Sequence, residues 1–146
     1  MSSQELSKQF KALYDEWGAA IANHQYEWFE RHFAKDFLGT AQPWPTLSVN
    51  KQQMIELDKS ITTMDVAWLN VTAQRFGNVV LTSGVVKYNK EEFKQGATIA
   101  EGMPTGEELS SMSNGKTVLY INGWRLNGGV WQIFDHHMVG VVESEG

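Results

Sequence analysis

The chain has 146 residues, with 17 Asp and Glu against 12 Lys and Arg, four His, six Trp and no Cys. That length suits one domain around one core. The absence of cysteine excludes disulfides, iron–sulfur clusters, thiolate metal sites and cysteine nucleophiles, and a net charge of −5 argues against a general nucleic-acid binder.

No stretch approaches the ~20 apolar residues of a membrane-crossing helix. The polar start, Met1-Ser-Ser-Gln-Glu-Leu-Ser-Lys8, lacks the apolar core of a signal peptide, so a cytoplasmic protein is expected.

Leu6, Phe10, Leu13, Tyr14, Trp17, Ala20 and Ile21 recur every three or four residues and predict an amphipathic helix from about Leu6 to His24. A short second helix follows, with Trp28, Phe29 and Phe33 on its apolar side. Phe37–Ala41 reads as a strand. Gln42-Pro-Trp-Pro-Thr46 reads as a rigid loop, because each proline fixes its own φ and restrains its predecessor. Ser48 or Asn50 can cap a third helix over Lys51–Ile61.

From there the period changes to two. Met64–Phe76 and Val79–Tyr88 form one hairpin around Gly77-Asn78, and Lys116–Leu126 with Val130–Val142 form another around Asn127-Gly128-Gly129. Between them lies Asn89–Gly115, read as a long loop that is either a solvated excursion or a lid, with a short strand or turn near Ala97–Glu101. Helices first and antiparallel strands after predict an α+β fold, helices packed on one face of a sheet. No repeat or linker divides residues 1–146.

Three stretches carry a resemblance: Trp17–Gln25, Phe33–Thr40, and Asn122–His137 with its Gly-rich turn, Trp-x-Ile and a His six residues after the Trp. In their order they resemble the nuclear transport factor 2-like superfamily, which includes SnoaL-like cyclases, ketosteroid isomerase and scytalone dehydratase. The resemblance implies a cone-shaped, curved antiparallel sheet wrapped around N-terminal helices, with a central pocket, and often a homodimer. It places Trp17 where the isomerase has its oxyanion tyrosine, Ala41 at its base, and Asn122 at its protonated aspartate.

Asp135-His136-His137 is the densest titratable cluster. On a regular strand Asp135 and His137 point together, opposite His136. The resemblance makes theirs the pocket face, so His137 is expected as general acid or base, oriented by Asp135. A structural His, bonded in place, is the alternative. Asn122, with Tyr120 on its strand, is the expected oxyanion donor. Trp17, Trp44, Trp68 and Trp124 are expected to shape the cavity, with Met54 and Leu57 as its floor. Asp58 lies beside that stripe, as either a pocket group or an exposed helix-edge carboxylate.

No metal site is expected: His136 and His137 point apart, and no HExxH or His-x-His is present. No cofactor motif is present either. The reading is a cofactor-independent lyase, isomerase or cyclase acting on a small, apolar, aromatic or polycyclic substrate. A non-catalytic small-molecule binder and a dimeric interaction module of the same fold are the alternatives.

Overall fold

The computed structural model describes residues 2–98 and 102–142. The first periodic stretch forms α1 (Ser3–Ala22), opened by Ser2, whose hydroxyl accepts from the Glu5 N–H at 3.1 Å. Its buried residues are Leu6, Phe10, Tyr14, Trp17, Ala20 and Ile21, the stripe read from the sequence. His24 takes a positive φ of 56° between α1 and α2 (Tyr26–His32).

Phe33 does not belong to the second helix; it opens β1 (Phe33–Ala41). After the Pro-Trp-Pro loop, β2 (Ser48–Asn50) leads into α3 (Lys51–Lys59). Asn50, not Ser48, caps α3, and Gln53 completes a reciprocal capping box. Then follow β3 (Ile61–Phe76), β4 (Val79–Phe93), β5 (Thr117–Asn127) and β6 (Val130–Val142).

The six strands form one sheet in the order β2-β1-β6-β5-β4-β3. All neighbours run antiparallel except β1 and β6, which are parallel. Register shifts in β1–β6, β3–β4 and β5–β6 mark bulges, which bend a sheet. The sheet is thereby curved and unclosed, and α1 lies in its concavity: Phe10 and Tyr14 meet Trp124 edge-on, at ring separations of 5.2 and 5.6 Å. Phe10, Phe29, Phe33, Ile55, Val80, Trp124 and Ile133 are sealed in the core. No helix among the described residues is long and apolar enough to cross a membrane.

Asn89–Gly115 is not the single loop expected. Its first part extends β4 to Phe93, and Gly106–Ser113 forms α4. Thr105 caps α4 and Glu108 closes the capping box, the S/T-x-x-E pattern being plain in the sequence. Residues 99–101 of the turn expected at Ala97–Glu101 lie outside the described residues, while Thr98 bridges to Thr105.

Candidate functional site

Between α1, α3, α4 and the concave sheet lies a largely apolar cavity of about 180 Å³. Trp17, Trp44, Met54, Leu57, Trp68 and Tyr120 all line it, and so does Asp58. Trp68 fits because Gly84 faces it: a Cβ at Gly84 would meet the Trp68 ring at 2.8 Å. Trp124 is not on the wall. It is sealed in the core, where its indole N–H donates to Thr82 Oγ1 at 2.9 Å.

That bond starts a buried polar chain. Thr82 O–H donates to the Asn122 carbonyl at 3.5 Å, so the 2.6 Å contact between Tyr14 and Thr82 uses the Tyr14 proton. Tyr14 oxygen then accepts from Asn122 Nδ2. Asn122 Oδ1 is left to accept from His136 Nδ1 at 2.6 Å. Nδ1 therefore carries the proton, which leaves Nε2 a bare lone pair, and the ring lines the cavity. Burial, with the neighbouring His137 second, lowers the His136 pKa to about 3, which keeps the ring neutral. Tyr120 stacks on it at 5.0 Å and Trp17 packs against it at the same separation.

Two carboxyls share the cavity. Asp58, on α3, is 5% exposed, so it is not the solvated helix-edge carboxylate that was the other expectation. Burial first, then the Glu91 charge, pushes its pKa up to about 8. Trp17 Nε1 lies close enough to oppose that rise, yet neither it nor Asp58 Oδ2 closes a hydrogen bond of sound geometry. Glu91, on β4, accepts from Ser113 Oγ of α4 at 3.0 Å, and burial raises its carboxyl to about 7. Tyr88 and Tyr120 join hydroxyls at 2.7 Å, and burial holds both phenols well above their usual range.

Asp135 and His137 do not face this cavity. Trp124 pairs with Ile133 and Gly123 with Asp135, so Phe134 is one residue too many on β6. The bulge reverses the alternation beyond Ile133: His136 turns inward, and Asp135 is exposed. His137 Nδ1 instead bonds Thr40 Oγ1 at 2.7 Å. Asn122 also departs from the expected role. Its amide bonds His136 and Tyr14, and the side chain is fully buried off the cavity wall, so it positions the histidine and does not reach a ligand.

The sequence reading also passed over Glu91, Tyr88 and Thr82. A second bulge is responsible for Glu91. Val80, Thr82, Gly84, Val86 and Tyr88 alternate inward, and regular counting would next bring Lys90 in. Val66 pairs with Tyr88 but Asp65 with Lys90, so Asn89 is extra and Glu91 takes the inward place. Gly123 is the signal for the first bulge, since a mid-strand glycine marks close approach: a Cβ there would meet the Phe134 ring at 2.8 Å. Arg125 pairs with Asp36 at 3.1 Å. Among the described residues, no three His, Asp or Glu are grouped to hold a metal ion.

No protein-family model and no curated protein matches the chain. Solved structures do. An NTF2-like protein from Cytophaga hutchinsonii is 19% identical, with 96% of this chain and 99% of that one covered at a TM-score of 0.65. A proposed dehydratase of the NTF2-like family from Streptomyces avermitilis is 12% identical, with 97% and 100% covered at 0.63. A proposed Ca/calmodulin-dependent kinase II association domain from Exiguobacterium sibiricum is 12% identical, with 99% and 98% covered at 0.67. With a curved six-stranded sheet wrapped on α1 and these relatives in shape, the chain has the nuclear transport factor 2-like fold.

Proposed function

We propose that the cavity carries out cofactor-free general acid–base chemistry, of lyase or isomerase type, on a small and mostly apolar substrate. The observation that carries this reading is a carboxyl, Asp58, buried in the wall of an apolar, aromatic-rich cavity, where desolvation pushes its pKa up to about 8. Protonated below about pH 8, Asp58 is the proton donor. His136 Nε2, neutral and held by the Asn122–Tyr14–Thr82 chain, accepts a hydrogen bond from the substrate and orients it. In the tyrosine pair one hydroxyl donates to the other, which leaves one O–H to meet oxyanion character on the substrate. About 180 Å³ suits one ring with a short arm, since a cavity of about 150 Å³ holds benzene. The proposed dehydratase among the similar structures is consistent with a lyase reading. The second partner we propose is another copy of the chain, supported by Leu38, Leu81 and Ile121, which stand exposed on the sheet.

The test is a screen of monocyclic compounds for binding by thermal shift, followed by product analysis of every hit. Turnover should fall about 10²-fold or more in Asp58→Asn, the usual span for losing a general acid. Wild-type turnover should decline as the pH rises through about 8, where Asp58 loses its proton. Hits recovered unchanged would make the protein a binder. Full turnover in Asp58→Asn would remove Asp58 from the chemistry.

A further inference from the structure

The described cavity wall holds acids and no cationic base. Two carboxyls, Asp58 and Glu91, are set into its wall, and no Lys or Arg stands among its described lining residues. Asp58 is 5% exposed and Glu91 7%, so neither is solvated as a surface carboxylate is. Burial disfavours their charged form, and a cation brought beside them would offset that cost. Asp58 lines the cavity, and its Oδ2, sealed beside the Trp17 indole N–H, closes no hydrogen bond of sound geometry. Trp17, Trp44, Trp68, Tyr88 and Tyr120 share the cavity wall with the two carboxyls, and aromatic rings attract cations.

On the reading that this cavity is the ligand site, we propose that its ligand is a protonated primary amine on a small apolar or aromatic body. An ammonium group has three donors and no acceptor, which complements the Glu91 carboxylate, the Asp58 carboxyl and a tyrosine oxygen. A quaternary ammonium would satisfy the rings but none of these acceptors. An anionic ligand would meet two acids and no base.

One ammonium neutralises one carboxylate. Glu91, already steadied by Ser113 Oγ, becomes the counter-ion, and Asp58 keeps its proton for transfer. The groups that bear on Glu91 are Asp58 from α3, Tyr88 on its own strand and Tyr120 from β5. His136 of β6 is neutral, β3 contributes Met64, and α4 contributes Ser113 while its Glu107 and Glu108 are exposed. With no basic group facing it, Glu91 ionises on amine binding and releases a proton when the pH lies below its own pKa of about 7.

The experiment compares 2-phenylethylamine, its N,N,N-trimethyl derivative, 2-phenylethanol and phenylacetate by calorimetry on the intact chain. The amine should bind about tenfold tighter than the alcohol and the trimethyl compound, with phenylacetate weakest. Amine affinity should fall between roughly pH 7.5 and pH 5.5 while that of the alcohol stays level. Glu91→Gln should erase the preference for the amine and keep the alcohol. Should that variant not fold, wild-type calorimetry in two buffers at roughly pH 6 decides, because amine binding must release protons and alcohol binding must not. Alcohol binding equal to or tighter than the amine overturns this inference and leaves the cavity as the ligand site. Failure of all four compounds to bind overturns both.

Discussion

Asp58 is held in the folded chain with a proton that it gives up in the unfolded chain, and this couples stability to pH. Its folded pKa of about 8 exceeds the ordinary 3.8, so the folded state binds more protons over that interval. Stability is therefore lost as the pH rises from about 4 to 8, and Glu91 adds a loss of the same sign up to about 7. Asn at position 58 cannot ionise. Asp58→Asn should accordingly melt higher than wild type at alkaline pH, by roughly 5–10 °C, and the gap should shrink toward pH 5. Melting curves across that range check it; a gap that does not change with pH would mean a solvated carboxylate. Asn122 makes a contrasting case, because its amide serves two buried partners. Asn122→Ala strands His136 Nδ1 and Tyr14, and should cost about 2–4 kcal/mol by denaturant titration. The chemistry at both positions was only half legible beforehand: residue type named the candidates, but their partners come from strands far along the chain.

At the level of elements, most of the chain follows its local pattern. The stripe Leu6–Ile21 packs as α1, Asn50 caps α3, and both hairpins turn at their glycines. The departures have one physical source. A bulge adds a residue to one strand only, and every side chain beyond it changes face. Phe134 does this to His136 and His137, and Asn89 does it to Lys90 and Glu91. Gly123 permits the first, because the Phe134 ring lies where its Cβ would be. Gly123→Ala should push that ring aside and cost about 1–3 kcal/mol, the usual range for overpacking. Equilibrium unfolding measures the loss; an unchanged midpoint would show that the ring relocates freely. The segment after β4 departs differently. Its Gly, Ser and Glu content resembles a loop, yet Thr105 and Glu108 cap a helix whose apolar residues Leu109 and Met112 reach the cavity.

For the molecule as a whole, the curved sheet has two unlike faces. The concave one holds α1 and the cavity. On the other, Leu38 and Leu81 stand in the row that includes Asp135 and Gly123, while Ile121 pairs with His137 in the next. These three leucine and isoleucine side chains are each close to half exposed. A second copy that covers them should give a particle of twice the chain mass by sedimentation equilibrium, and Ile121→Lys should return it to monomer. A wild-type monomer at high concentration would leave that face to solvent.

Local sequence was enough to read the class of fold, the order of helices and strands, the buried stripe of α1 and the aromatic character of the cavity wall. These depend on local periodicity, capping chemistry and side-chain size, all of which act over a few residues. Which of two adjacent histidines faces inward, that Glu91 lines the same cavity as Asp58, and that Asn122 holds His136 emerge only in the folded chain. Those outcomes depend on the parity of strands after a bulge and on burial shared among α1, α3, α4 and the sheet, and strand register is an agreement between distant segments.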